Sequence, residues 1–234
     1  MGLKSTGARG YRCVWLQSAA ANAPLNPRRR TAHVMCSQHL PTVSQPWPAP
    51  NGRKLAAVLV PLYDGQLGPT LLLIRRSETI NHPGQVAFPG GRPEPGDSGP
   101  LATALREANE ELGIEPQHVR LLGPLPVVET MTSNYAIYPF VGRLTERPSL
   151  RLQASEVAAV LDVPLSALSA PGLPIEEEWV LPLPGERADT GALAAPTRFR
   201  RIRYFPWGQD KIWGATERML ENLLTAIRAG SLKL

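Results

Sequence analysis

The chain is predicted to fold as an α/β domain in which a buried sheet and two amphipathic helices share a core. Three stretches carry that expectation. Lys54 to Tyr63, KLAAVLVPLY, is a continuous apolar run suited to a strand covered on both faces. Leu101, Ala104, Leu105, Ala108 and Leu112 recur at helical spacing, and so do Ile212, Ala215, Met219, Leu220, Leu223, Leu224 and Ile227. With 234 residues and 43% hydrophobic side chains the chain can bury one full core, and no apolar run is long enough to span a bilayer.

The net charge of +5 raises a nucleic-acid partner as a hypothesis, but its distribution argues against one. Residues 1–63 hold no Asp or Glu and eight basic side chains, which leaves 17 basic against 20 acidic from Asp64 onward, a balance of −3. Residues 1–46, rich in Arg, Ser, Ala and Pro and without periodicity, are expected to form a disordered basic extension ahead of a folded domain over 47–234. That extension reads either as an organellar transit peptide, which would place the protein in mitochondria, or as sequence upstream of a later start such as Met35 in a cytoplasmic bacterial protein. Cys13 and Cys36 both fall in it, so neither a disulfide framework nor a cysteine metal site is expected in the domain.

Within the domain, Asp64-Gly65 marks a turn, and Thr70 to Arg75 is the expected partner of the first strand. Arg75 and Arg76 at its end are candidates for phosphate contact, or flank a sheet edge. His82, in the following loop, is a candidate for contact with a pyrophosphate or for proton transfer. Phe88-Pro89-Gly90-Gly91 is a turn that lets backbone approach a metal or a phosphate closely. The first helix then runs through Leu112 and stops at Gly113. Val119 to Val128 and Tyr135 to Leu144 read as strands joined by a polar loop, where Asn134 and Tyr135 are candidate substrate contacts. A strand follows from Ala158 to Leu165, with Glu156 just before it as the leading carboxylate for an accessory ligand or general base. Glu176-Glu177-Glu178, among Pro and Gly, reads as a solvated segment. Arg198 to Phe205 is a basic, aromatic strand able to hold a phosphate or to keep a sheet edge soluble, and Ile212 to Ala229 is the closing helix.

The sharpest chemical signal is Arg106-Glu107-Ala108-Asn109-Glu110-Glu111 on the first helix. Glu107 lies three and four residues before Glu110 and Glu111, so the carboxylates share one side, and close negative charges are unfavourable unless something offsets them. A divalent cation would do so, and oxygen ligands suit Mg²⁺ or Mn²⁺. A solvated helix face screened by Arg106 is the plain alternative.

Gly91, Asp97 and Arg106 through Ile114 together resemble the Nudix box, G-x5-E-x7-R-E-U-x-E-E-x-G-U with U aliphatic. Asp97 stands where the pattern has Glu, and the gap to Arg106 is one residue longer. Both departures are common in the coenzyme A pyrophosphatase branch, to which Leu72-Leu73-Ile74-Arg75-Arg76-Ser77, His82 through Gly91 and Ile212-Trp213-Gly214-Ala215-Thr216 are also similar. Ile74 replaces that branch's Thr, and the segment from Ser77 to Gly84 is about one residue short, with Asn81 nearest to an expected Arg. The resemblance implies a Nudix α/β/α sandwich around a mixed sheet. It implies hydrolysis of a pyrophosphate bond in a nucleoside diphosphate derivative, with coenzyme A or acyl-CoA favoured over ADP-ribose or a dinucleotide cofactor. A non-catalytic nucleotide-binding module is the lower alternative, since binding alone does not need the intact acidic triplet. Glu107, Glu110, Glu111 and the Gly91 carbonyl would hold Mg²⁺ or Mn²⁺, and Arg106 would orient the carboxylates. The general base is left open among Glu110, Glu156 and a metal-bound hydroxide. The expected partner is a small nucleotide-type substrate, without nucleic acid or membrane, and a homodimer is compatible with this reading.

Overall fold

The computed structural model describes residues 52–130, 133–182 and 197–234; the extension expected over 1–46 lies outside them. The apolar run forms β1 (Lys54–Gly65), which turns back into β2 (Gly68–Arg76). The hairpin is hydrogen-bonded only near its turn, from Leu62 opposite Leu71 to Gly65 opposite Gly68. Beyond that point two short strands, β3 (Val86–Ala87) and β4 (Gly90–Gly91), occupy the facing edges: β3 pairs with Ile74 and Arg75 of β2, and β4 with Ala57 and Val58 of β1. The glycine turn is thereby built into the sheet as backbone pairing, not left as a surface loop.

After helix α1 (Pro100–Leu112) come β5 (Val119–Pro124), β6 (Val128–Glu129), β7 (Tyr135–Leu144), β8 (Val157–Pro164) and a one-turn helix α2 (Leu165–Leu168). β7 runs parallel to β1 over Lys54 to Leu62, while β8 lies antiparallel along β2, which makes the sheet mixed. Alternation along β1 and β2 sends Ala57, Leu59, Leu72 and Ile74 to Ala104, Ala108 and Leu112 of α1. Val58, Val60, Leu71 and Leu73 face the other way, into a core shared with Met219, Leu220, Leu223 and Leu224. Those four belong to α3 (Ala215–Arg228), so a helix covers each face, as expected of an α/β/α sandwich.

A second, three-stranded antiparallel sheet is formed by β9 (Ile175–Pro182), β10 (Thr197–Trp207) and β11 (Asp210–Trp213), in the order β11-β10-β9. Here three expectations change. The acidic triplet is part of a strand, because register places Glu176, Glu177 and Glu178 opposite Arg203, Ile202 and Arg201, and the basic strand offsets the like charges. Ile212 and Trp213 belong to β11 and not to the closing helix, which starts after Gly214 at a φ of 70°. The strand expected over Val119 to Val128 is split into β5 and β6 at Pro124, Leu125 and Pro126, since proline cannot donate to a ladder.

Candidate active site

Helix α1 lies against β1 and β4, and the burial of its faces differs from simple amphipathic reasoning. Leu101 and Leu105 are only half-buried, whereas Thr103 and Glu111 are inside. Glu111 is 1% exposed, and its Oε2 accepts the Gly90 N–H at 3.0 Å. Burial pushes this carboxyl up to about 8; the Gly90 N–H and Arg76 oppose the rise, and the charges of Glu107 and Glu156 reinforce it. Glu107 is raised for the same first reason, with Arg106 pulling it down and Glu110 and Glu156 pushing it up. Glu156, just before β8, thus lies within the electrostatic reach of both, and its Oε1 accepts from Gln153 Nε2 at 3.2 Å.

Arg106 organises the opposite side. Its guanidinium donates to Asp97 Oδ1 at 3.2 Å, to Glu107 Oε1 at 3.0 Å, to Glu110 Oε2 at 2.9 Å and to the Arg92 carbonyl at 2.9 Å. Asp97 also accepts from the Glu94 N–H at 2.9 Å and Thr103 Oγ1 at 2.7 Å, tying the loop to the start of the helix. Burial alone would raise its carboxyl, but Arg106 and these two donors hold it below the usual carboxylate range. A Cβ on Gly91 would collide with the Glu107 carboxylate, so this glycine gives Glu107 its room.

Glu110 and Glu156 both act on Glu107, Glu107 and Glu156 act on Glu111, and Arg106 holds both Glu107 and the half-exposed Glu110. Among the described residues no three such side chains converge closely enough to hold a cation by themselves. An oxygen-only donor set around a carboxyl that burial raises suits a hard divalent ion whose coordination is completed by water and phosphate oxygens.

Arg76 is close enough for its charge to act on Glu111, and its Nε donates to the Asn81 carbonyl at 3.0 Å. Arg75 instead forms a two-pronged pair with Asp210 of β11 at 2.9 and 2.7 Å, a partner 135 positions away that local reasoning missed. His82 is exposed in a left-handed conformation with φ 61°. Asn134, also left-handed at φ 57°, accepts from Arg53 through its side chain at 3.2 Å and from the Lys54 N–H through its carbonyl at 2.9 Å. The Tyr135 ring carries Lys54 Nζ at 5.8 Å and the Arg92 guanidinium at 5.6 Å from its centroid, which links the 129–135 loop to the residue after the glycine turn.

A family model described as the NUDIX domain matches residues 53–191. A protein of Photorhabdus laumondii described as an uncharacterized Nudix hydrolase NudL is 39% identical over 177 residues, which span 74% of this chain and 84% of that protein. A protein of the same description from Pectobacterium atrosepticum is 35% identical over 181 residues, 75% of this chain and 83% of that one. Among solved structures, a MutT/nudix family protein from Enterococcus faecalis matches with a TM-score of 0.48 at 16% identity, covering 79% of this chain and 66% of that chain. Since the model spans more than half of the chain and these relatives align over most of their own length, the chain belongs to the Nudix hydrolase family.

Proposed function

We propose that this Nudix hydrolase splits coenzyme A or an acyl derivative into 3′,5′-ADP and 4′-phosphopantetheine or its acyl form, with Mg²⁺ or Mn²⁺. Family membership makes it a pyrophosphohydrolase of nucleoside diphosphate derivatives that works with a divalent cation. The observation that carries the narrower reading is spatial. The two segments resembling the coenzyme A branch, 72–91 and 212–216, are more than a hundred residues apart in sequence yet packed together. Thr216 Oγ1 donates to the Val86 carbonyl at 3.0 Å, and Arg75 is clamped to Asp210 of the hairpin that carries the second segment. Arg76, in the first segment, acts on Glu111 by its charge.

A bound divalent ion would neutralise the diphosphate and make a water more acidic. The chain's part is to hold and orient. Glu107 and Glu111 present the oxygens with Glu110 beside them, and Gly91 leaves the Glu107 carboxylate its room. Arg106 keeps Glu107 and Glu110 in place through a fork that a lysine lacks. Water adds across the P–O–P bridge, one phosphorus gaining the hydroxyl oxygen while the other phosphate leaves with the bridging oxygen. The proton of that water passes to a carboxylate. Glu156 is favoured because its charge acts on Glu107 and Glu111 and it has no arginine partner among the described residues, whereas Glu110 is paired with Arg106.

Hydrolysis of coenzyme A, ADP-ribose and NADH, assayed side by side with Mg²⁺ and with Mn²⁺, tests this. Coenzyme A should have the highest kcat/KM. A preference for ADP-ribose or NADH would move the substrate within the family, and identical behaviour of wild type and Glu111→Gln on all three would remove the catalytic reading.

A further inference from the structure

A cleft of about 430 Å³ opens between the 83–85 loop and the β10–β11 hairpin, lined by Gln85, Gln209, Asp210, Lys211 and Trp213. It contains none of the carboxylates of the acidic helix, nor Glu156, but it adjoins them. The Gly84 N–H donates to the Arg76 carbonyl at 3.1 Å, and the Arg76 N–H donates to the Gln85 carbonyl at 2.9 Å. The loop that walls the cleft is thus fastened to the residue whose charge acts on Glu111.

The charges that line the cleft are matched. Asp210 is neutralised by Arg75, and Lys211 Nζ is 2.7 Å from Glu177 Oε2 while lying over the rings of Tyr204 and Trp179 at 4.5 and 5.0 Å. No excess positive charge remains there to hold a diphosphate. The apolar component is aromatic. Trp213 is set edge-to-face against Trp179 at 5.2 Å and 60°, and Trp179 is fixed by donating its Nε1 hydrogen to Glu177 at 3.1 Å. The remaining polar groups are the side-chain amides of Gln85 and Gln209, each with a donor and an acceptor, and neither has a partner within the chain among the described residues. A neutral recess with a braced indole and two uncommitted amides suits a flat, uncharged ring system with alternating donors and acceptors along its edge.

We infer that this cleft binds the nucleobase of the substrate, with Trp213 as the stacking surface and Gln85 reading the edge of an adenine-type purine. The inference rests on the nucleotide reading above and adds to it the division of the substrate: diphosphate at the acidic helix, base at the β10–β11 hairpin.

The test is direct binding to the full chain in EDTA, so that phosphate is not anchored by a cation, with AMP and ribose 5-phosphate as probes in titration calorimetry. Wild type should bind AMP about tenfold more tightly than ribose 5-phosphate, the scale of one base stacked on an aromatic ring. Trp213→Leu should remove most of that difference and Trp213→Phe should retain most of it, while Gln85→Ala should lower AMP affinity severalfold and leave ribose 5-phosphate unaffected. Equal affinity for the two probes in wild type overturns the inference, as does a preference that survives in Trp213→Leu. Should Trp213→Leu unfold, the Gln85→Ala comparison decides alone: an unchanged preference for AMP sinks the edge-reading role. Failure to hydrolyse coenzyme A alongside a Trp213-dependent preference for AMP would count against the substrate proposal and leave this subsite standing.

Discussion

At the residue scale the site is governed by one carboxylate kept out of water and one guanidinium that serves four acceptors. Glu111 has a folded value near 8, well above the ordinary 4.5, so without cations the native state holds a proton that the unfolded chain releases. The stability associated with that proton is fully present below about pH 4.5 and is lost as pH rises through about 8. In EDTA the melting temperature should therefore fall between pH 5 and 8, and Glu111→Gln should flatten that slope while lowering turnover by at least about 100-fold. An unchanged slope in the variant would show that the Glu111 carboxyl is not the titrating group. Arg106→Lys keeps the charge but cannot bridge Asp97, Glu107, Glu110 and the Arg92 carbonyl together. It should cost about 10- to 100-fold in kcat/KM, measured at saturating cation.

At the scale of elements, the short strands β3 and β4 connect sheet and chemistry. Their backbone fills the splayed end of the β1–β2 hairpin, which brings Gly90 under Glu111 and Gly91 beside Glu107. The two glycines should respond differently to alanine. Gly90→Ala places a Cβ against the Ala57 carbonyl at a φ of 156°, a structural conflict expected to cost about 1–3 kcal/mol in denaturant unfolding. For Gly91→Ala the atoms nearest the new Cβ are those of the Glu107 carboxylate, a side chain able to move, so activity should fall while the unfolding midpoint stays near wild type. Equal loss of stability in both would contradict this separation. In the second sheet, Glu176 and Arg201 lie 3.6 Å apart and Glu217 and Glu221 flank Arg203 at 3.7 and 3.3 Å, so the acidic strand and the last helix share the cations of β10.

At the scale of the molecule, a polar cluster apart from the Arg106 network ties parts of the sandwich together. Tyr63 Oη donates to Asp162 Oδ1 at 2.8 Å, and Arg147 holds both oxygens of that carboxylate at 2.9 Å, joining β1, β8 and the segment between β7 and β8. Burial would raise Asp162, but Arg147 and Tyr63 outweigh it and the carboxyl is lowered from 3.8. Its contribution to stability is present above about pH 3.8 and is lost as pH falls through the lower folded value. Asp162→Asn should thus lower the neutral-pH melting temperature and make the acid limb shallower; a limb as steep as wild type would assign acid unfolding to other groups. The described core begins at Ala57 and the family match at residue 53. A chain starting at Met35 is accordingly expected to melt and turn over as the full chain does, and loss of folding on that truncation would refute it.

Much of this architecture was readable locally, because strand and helix periods are properties of neighbouring residues. Lys54 to Tyr63, Tyr135 to Leu144 and the Pro100–Leu112 helix with its stop at Gly113, φ 74°, lie where their patterns place them. Glu176 to Glu178 misled because like charges read as solvated unless their cross-strand arginines are known, and Ile212-Trp213 because a two-residue lead-in to a helix shares its apolar period. By itself the sequence determined the family, through its match to the Nudix domain, and the acidic helix with its carboxylates on one side, since helical spacing is a local property. Only the tertiary structure decided that Glu111 is buried, that the charge of Glu156 reaches Glu107 and Glu111, that Arg106 holds Asp97, Glu107 and Glu110 together, and that Arg75 is given to Asp210. Burial and pairing depend on strands brought together from up to 135 positions apart, and no local period carries that information.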